Sequence, residues 1–321
     1  MIDRRALLAG VAASAFIPRQ SFAAWPERPI TMLHGFAPGG GADATARVAA
    51  DGLSKVLSQP VLVESKPGAG TTLAAGQLVR AAPDGYTIAL VTSTYASSAA
   101  LYKKLPYRPV EDISPIGQLT ESPYVIATHE DHPAQTLEKM IEAAKKQSGN
   151  LTYGTPGVGS GPHLITELLA QRAGIKLTHV PFRGGAQAVV EVLARRIDFM
   201  VDPPLSMIEH IRSGKFRALA VSTAERFPSF PAVPTVAEQG FPGFAAPAWF
   251  ALAAPAATPA PVLERLSATT ADVLADTAVR ERLRVLGAEA KTSSPQALMQ
   301  LIVADIKRWS EVIDRAGIER I

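Results

Sequence analysis

The sequence predicts an α/β protein made of two similar halves. Short apolar segments with strand character alternate with amphipathic helical patterns from Pro29 onward, and such alternation is typical of mainly parallel sheets flanked by helices. The alternation of strands and helices begins again near residue 120. A stretch rich in proline and glycine, 225–262, then precedes a helical tail. Because 321 residues suffice for two cores, we expect two lobes joined by a hinge.

Each half has its own set of expected elements. In the first half, the periodicity predicts the strands Ile30–Gly35, Val61–Glu64 and Thr87–Thr92 and the helices Asp43–Leu57 and Thr71–Ala81. In the second half, it predicts the strands Tyr124–Thr128, Leu151–Tyr153, Leu177–Pro181, Asp198–Val201 and Arg217–Ser222 and the helices Thr136–Lys146, Leu164–Ala173, Ala186–Arg195 and Leu205–Ser213. The tail is predicted to form the helices Pro261–Ala275, Thr277–Leu286 and Ser294–Ala316.

The N-terminus has the pattern of an export signal. Arg4 and Arg5 precede the apolar run Ala6–Ile17, which is too short to span a bilayer. Small residues at Ser21 and Ala23 then mark a cleavage site, with the cut after Ala23 or Ala24. We therefore expect residues 1–23 to be a signal peptide and the mature protein to be periplasmic, with no segment inserted in the membrane. A short buried helix is the alternative, and the choice between the general and the twin-arginine export route stays open.

Composition excludes several classes of function. The formal net charge is +3, but residues 1–23 contain three arginines against one aspartate, so the remaining chain is close to neutral. We find no basic stripe interleaved with aromatic residues, and nucleic acid is not an expected partner. The chain has no cysteine, which excludes disulfides, thiolate zinc sites and a lipid-modified cysteine.

Two glycine-rich stretches each join a strand to the start of a helix. A helix start exposes unpaired N–H groups and carries a partial positive charge, so each stretch is a candidate anion site. In the first stretch the candidate ligand contacts are Phe36, Pro38, Gly39, Gly40, Gly41, Ala42, Asp43 and Thr45. The alternative is a tight strand-to-helix turn with Asp43 as the N-cap, and for Asp43 itself a capping role is favoured because its carboxylate would repel an anion.

The second stretch does not fit the common glycine-rich motifs. It lacks the phosphate-loop, dinucleotide-binding and esterase patterns. What remains is a set of backbone N–H groups and two polar side chains at a helix start. The candidate contacts are Thr155, Pro156, Gly157, Gly159, Ser160 and His163. For His163, packing beneath the loop is as good an interpretation as ligand contact.

Further candidates stand where other strands end. Arg183 follows the strand Leu177–Pro181, and it could contact a ligand or be an ordinary surface cation. Asp202 follows the strand Asp198–Val201, and it could contact a ligand or cap the next helix. The hydroxyls of Thr92–Thr94 lie at a third strand end. The run His129–His132 resembles metal ligands, but its place between a strand and Pro133 favours a solvated turn. We assign no catalytic residue, no metal ligand and no cofactor.

A series of short motifs runs in order along the mature chain. They are Trp25–Ile30, Phe36–Arg47, Val63–Gly70, Ala82–Thr87, Leu101–Tyr107, His179–Gly185, Arg217–Val221 and Val233–Gly240. Together they resemble the Bug (TctC-like) family of solute receptors over essentially the whole mature chain.

The resemblance implies a type II, Venus-flytrap periplasmic binding protein. It implies a first lobe from 24–120 plus 225–321 and a second lobe from 121–224. It also implies a monomer that binds a small carboxylate, such as a dicarboxylate, an acidic amino acid or an aromatic acid, for a membrane transporter or sensor. The ligand carboxylate would be held between the two glycine-rich loops by backbone groups and bridging waters.

Two departures from the family pattern bear on the site, and two other functions stay open. Pro156 removes an N–H donor from the second loop, and Pro203-Pro204 after Asp202 is unusual. The alternatives are an exported serine hydrolase that uses Ser160, and a ligand-sensing receptor with no role in transport.

Overall fold

The computed structural model describes residues 25–146, 149–182 and 184–321 as two sheets flanked by helices. The predicted signal peptide, 1–23, and the candidate Arg183 lie outside the described residues. The strands are β1 Ile30–His34, β2 Val61–Ser65, β3 Thr87–Thr92, β4 Ile113–Ser122, β5 Val125–His129, β6 Thr152–Thr155, β7 Thr178–Pro181, β8 Phe199–Asp202, β9 Phe216–Val221, β10 Ala248–Pro255 and β11 Glu289–Ala290. The α-helices are α1 Gly41–Leu57, α2 Thr72–Arg80, α3 Ser93–Leu101, α4 Leu137–Lys146, α5 Gly161–Ala173, α6 Gly185–Leu193, α7 Ile208–Arg212, α8 Ala260–Ala275, α9 Thr277–Val285 and α10 Pro295–Ala316.

The two sheets share one design. The first has the order β11-β4-β10-β3-β1-β2, and the second has the order β7-β6-β8-β5-β9. Most strands of each sheet run in one direction, with β10 antiparallel to both of its neighbours in the first sheet and β5 antiparallel to both in the second. We call the elements of each sheet, with the helices packed on it, the first half and the second half.

The chain crosses between the sheets twice. It leaves the first sheet after β4 and enters the second at β5, across residues 123–124; it returns between β9 and β10, across residues 222–247. Helix α10 then packs on α3 and β4 of the first half and also contacts α5 of the second. The last helix therefore bridges the two halves.

Most expected elements are confirmed to within a few residues, but four elements of the first half were not predicted: α3, β4, β10 and the short β11. Helix α3 reads STYASSAAL and is buried on nearly all sides, so it has no amphipathic stripe to recognise. Strand β4 contains Pro115 and Gly117, which normally argue against a strand. Register shifts in its pairing with β10 accommodate them.

The interpretation of 225–262 as a connection was wrong for its second part. Residues Ala251 to Ala254 lie in β10, between β3 and β4, and are completely buried. The prediction of one helix over Leu205–Ser213 was also wrong: Pro204–Ser206 forms a single 3-10 turn, and α7 begins only at Ile208 because Met207 leaves the helical region at φ −132°.

Within the described ranges, no helix has the length and apolar character needed to span a membrane.

Candidate ligand-binding site

Both glycine-rich loops lie where the two halves touch. The loop before α1 follows the carboxyl end of β1, and the loop before α5 follows that of β6, the edge at which α/β sheets bind ligands. A Cβ built on Gly41 would lie 3.1 Å from Leu205 Cδ2 of the second half. A Cβ built on Gly159 would lie 2.1 Å from Leu101 Cδ2 of the first. Each loop therefore contacts the opposite half, although against different elements of it.

The carboxylate of Asp43 holds the first loop in place. Its Oδ2 accepts hydrogen bonds from Gly39 N and from Arg47 Nε, both at 3.0 Å. The hydrogen bond from Arg47 is the main reason that the pKa of Asp43 is lowered, and the bond from Gly39 adds to it. Gly39 has φ +85°, a conformation that glycine adopts without strain. Asp43 thus acts from the third position of α1, reaching back to the loop rather than standing as the N-cap itself.

A buried histidine stands behind this carboxylate. His34 at the end of β1 is fully buried, with Nε2 3.2 Å from Asp43 Oδ1. Burial lowers the pKa of His34, and the neighbouring carboxylate opposes that shift only in part. The imidazole is therefore neutral near pH 7, and its role is to support the loop from the core.

The N-terminus of α1 is open for an anion. Gly40 is the N-cap, and among the described residues no side chain caps it. The N–H groups of Gly41, Ala42 and Asp43 have no carbonyl partner within the helix, as at any helix start. Pro38, Gly39 and Gly40 are exposed and Phe36 is half-buried, whereas the side chains of Ala42 and Thr45 are buried against the core. The donors available to a ligand are thus backbone groups.

The second loop satisfies most of its own polar groups. Ser160 is the N-cap of α5, with its Oγ accepting from His163 N and donating to Gly157 O at 2.7 Å. Gly159 N donates to His163 Nδ1 at 3.0 Å, and Gly157 N donates to Thr155 Oγ1 at 3.3 Å. Pro156 has no N–H to offer. This loop therefore has fewer free donors than the first.

Aromatic rings under the second loop form a stack. The rings of His163 and His179 lie 4.0 Å apart at 12°, and Tyr153 stacks on His179 at 4.9 Å. Burial lowers the pKa of His163 to about 3, with the neighbouring His179 adding to the shift, and burial lowers that of His179 to about 4. Both histidines are neutral at pH 7, so the packing interpretation of His163 is the one that the geometry favours.

Asp202 lies beside the start of α6, where a Cβ built on Gly185 would collide with its carboxylate. It ends β8, it is 6% exposed, and it stands opposite Val125 in the sheet register. Burial raises its pKa to about 7, and a hydrogen bond from the Ser206 side chain offsets the shift in part. Three residues further on, Leu205 reaches the start of α1.

Two residues of this region were not predicted as parts of the site. Tyr124 in the first crossing shares a hydrogen bond of 2.9 Å with Ser93 Oγ at the start of α3. Its hydroxyl also abuts α5, since a Cβ on Gly161 would lie 2.0 Å from it. A single tyrosine beside a strand has no sequence signal for such a role; only the crossing between sheets brings it there. Leu205 is the second missed residue, because it was assigned to a helix.

The acidic–histidine turn after β5 has the expected form. His129, Glu130 and Asp131 offer ligand atoms within 4.8 Å of one another. However, His129 Nδ1 accepts a hydrogen bond from Asp131 N, and Asp131 pairs with Arg195. Two of these three possible metal ligands, His129 and Asp131, are therefore already bonded to other groups of the protein.

Comparison with known proteins places these features in context. The model of the tripartite tricarboxylate transporter family receptor matches residues 45–318. The solved structure of the periplasmic binding protein BugD is 34% identical, with a TM-score of 0.81 over 92% of this chain and 99% of that one. MatC from Rhodopseudomonas palustris with bound malate is 35% identical, with a TM-score of 0.80 over 90% and 100%. BugT of Bordetella pertussis is 35% identical over 91% of this chain and 90% of its own. These matches confirm the two-lobed α/β fold of a periplasmic binding protein.

Proposed function

The chain belongs to the tripartite tricarboxylate transporter receptor family, and on that premise we propose that it captures a small carboxylated compound between its two halves for a tripartite tricarboxylate-type transporter. The compound would be a dicarboxylate, an acidic amino acid or an aromatic acid. The observation that carries the proposal is the uncapped N-terminus of α1, which opens at the boundary of the halves next to Leu205. The bound malate of the relative MatC supports the same class of ligand.

The lobes of this receptor would be 24–120 plus 225–321 and 121–224. Support comes from the sheets, since the strands of the first sheet lie within 30–122 and 248–290 and those of the second within 125–221. Tyr124 would then stand in the hinge, where its hydrogen bond to Ser93 joins the lobes. Closure about this point would bring the α1 and α5 N-termini toward a common ligand.

The binding strength that backbone donors can supply fits this function. A hydrogen bond from N–H to a carboxylate contributes roughly 1.5–3 kcal/mol, and the helix N-terminus adds about 0.3–1 kcal/mol. Three such contacts at Gly41, Ala42 and Asp43 supply roughly 5–10 kcal/mol before ordering costs, so micromolar affinity, about −8 kcal/mol, needs further contacts as well. The second loop would contribute the remaining contacts around Thr155 to Ser160, and Arg183 and Asp202 would face the rest of the ligand.

The environment of Ser160 favours a receptor over a hydrolase. A nucleophilic serine needs a base that accepts its proton. Ser160 Oγ donates instead to the carbonyl of Gly157. The lone pair of His163 Nδ1 is occupied by Gly159 N. Both groups hold the loop, and neither is arranged for proton transfer.

The experiment begins with identification of the bound compound. Freshly purified protein is denatured, the released small molecules are identified by mass spectrometry, and the ligand-free refolded protein is then tested by thermal shift. A carboxylate that binds the folded state raises the melting temperature. If the released fraction holds no carboxylate and no member of a broad acid library shifts the melting temperature, the proposal fails.

Substitution at Gly41 tests the role of α1 directly. Proline is favourable at the first helical position, so Gly41→Pro removes one N–H while keeping the helix, and the extended backbone of Gly40 suits a following proline. Gly41→Ala is the matched control, because it adds a Cβ beside Leu205 but keeps the donor. We expect the proline variant to bind the ligand roughly tenfold more weakly than the alanine variant. Equal affinities would show that this N–H does not bind ligand.

A further inference from the structure

A second cavity lies away from the two loops, between α5 and α10. It has a volume of about 460 Å³, the size of a small-molecule site. Its walls are the second part of α5, the end of α10, and the segment before β10 near Gly243 and Ala245. Leu168 and Arg172 are 7 and 11 residues beyond the start of α5, which at 1.5 Å per residue is roughly 10–16 Å from the glycine-rich loop. We call this cavity the α5–α10 groove.

The groove is built by both halves of the molecule. Helix α5 packs on the second sheet, α10 packs on the first, and the segment before β10 belongs to the return crossing. Gln171 Nε2 donates to Val312 O at 3.0 Å and ties α5 to α10 at the edge of the groove. A compound bound in the groove would therefore contact both halves at once.

The lining charges are mainly positive. Arg172, Arg308 and Arg315 line the groove, with Glu311 as the one acidic side chain among the described lining residues. Arg308 Nη1 donates to Ala245 O at 3.1 Å, and it lies 3.4 Å from Oδ1 of the buried Asp305 behind it.

The guanidinium groups keep donors for an occupant. Arg172 makes one long bond of 3.4 Å to Pro242 O, and its guanidinium lies over the Phe244 ring. Among the described residues, Arg315 and Glu311 have no side-chain hydrogen bond or ion pair. Since each guanidinium has five N–H donors, most donors in the groove are unused, and these groups bind carboxylate and phosphate through paired hydrogen bonds.

We propose that the α5–α10 groove is a second binding site, for a small multivalent anion with phosphate or carboxylate groups. The anion is held by Arg172 from one half and by Arg308 and Arg315 from the other. Because it bridges the halves, it stabilises the arrangement in which α5 and α10 are in contact. This site is separate from the proposed carboxylate cleft and does not depend on it.

Inorganic pyrophosphate is a suitable probe, because it is multivalent and small enough for the groove. Binding is measured by isothermal titration calorimetry at fixed ionic strength, with thermal shift as the second readout. The test variant is Arg172→Gln with Arg315→Gln, two exposed substitutions that leave the core unchanged. The matched control is Lys307→Gln, an exposed cation of α10 that does not line the groove. Circular dichroism establishes that each variant is folded.

We expect saturable one-to-one binding by the wild type and by Lys307→Gln, and a loss of roughly 10- to 100-fold in affinity in the double variant. Glu311→Gln removes the acidic group of the wall, so it should strengthen binding about two- to fivefold. The Gly41→Pro variant should bind pyrophosphate like the wild type.

Three results would overturn the proposal. The first is an absence of saturable binding by the wild type. The second is equal affinity in the double variant and the Lys307 control, and the third is loss of binding in Gly41→Pro, which would place the anion at α1. Failure of carboxylates to bind the cleft would leave these pyrophosphate results unaffected, so the two proposals are tested independently.

Discussion

Replacing Asp202 by asparagine tests whether burial raises the pKa of this carboxyl. The carboxyl of Asp202 is 6% exposed at the end of β8, and burial raises its pKa from 3.8 to about 7. The folded state therefore holds this proton more tightly than the unfolded state does. That contribution to stability is complete below pH 3.8 and is lost as the pH rises to about 7. Asparagine keeps the shape of the side chain but does not titrate.

The size of the effect follows from the two pKa values. One pKa unit corresponds to about 1.4 kcal/mol, and the proton linkage of Asp202 runs from pH 3.8 to about 7. Relative to the wild type, Asp202→Asn should therefore gain stability with rising pH. Between pH 5 and pH 8 the gain is about 2–3 kcal/mol, because part of the linkage has already been lost at pH 5.

Urea unfolding of the two proteins at pH 5, 6, 7 and 8 measures this difference directly. Every other titrating group is common to both proteins, so its contribution cancels in the comparison. Asp51→Asn, an exposed carboxyl on α1 that pairs with Arg282, is the matched control and should give a nearly constant difference. If the Asp202→Asn difference is also constant from pH 5 to pH 8, Asp202 is ionised throughout, and the reasoning from burial is wrong.

Three further perturbations probe the loops. Gly159→Ala should lower the free energy of unfolding by at least 1 kcal/mol more than Gly174→Ala does. Both glycines have positive φ, but only at Gly159 would the new Cβ meet a side chain, Leu101 at 2.1 Å. Equal losses in chemical unfolding would show that there is no clash at Gly159. In the wild type, His163 stays neutral in the folded state, where its pKa is lowered to about 3, while the unfolded histidine protonates. This difference destabilises the wild type by about 3 kcal/mol as the pH falls from 6.5 to about 4. His163→Phe should remove that loss, and an unchanged pH profile of thermal unfolding would contradict this. Asp43→Ala removes the acceptor of Gly39 N, a loop hydrogen bond worth about 1 kcal/mol or more. The change should lower the melting temperature by about 2–4 °C and weaken carboxylate binding; unchanged ligand affinity would show that the loop keeps its form without Asp43.

Local patterns in the sequence were enough for the elements that bury one face. Helices α1, α8 and α10 have apolar residues at helical spacing, and the strands β1 and β3 are short apolar runs between turn residues. Both glycine-rich loops could be placed at helix starts, since a strand followed by glycines and an amphipathic pattern has few other forms. The family resemblance then supplied the two-lobed fold.

Elements that bury all their faces, or that depend on distant partners, could not be read in this way. Strand β10 looks like an alanine- and proline-rich connection, and it is a central strand only because β3 and β4 enclose it. Small side chains fit there because the sheet is covered on both faces. Helix α3 could not be recognised from the sequence for the same reason, since burial on nearly every side leaves no periodic pattern of apolar residues.

The sequence by itself determined the class of the protein and the position of two helix N-termini, because both follow from local chemistry and from motifs that run in order along the chain. The tertiary structure decided how those ends are used. It left the first loop open, with Asp43 holding it from behind, and closed the second on its own hydrogen bonds through Ser160 and His163. It also buried Asp202 at the end of β8. Whether a donor is free, and whether a carboxyl keeps its charge, depends on which groups the fold places within a few ångströms of it. The order of residues along one strand or helix does not fix that.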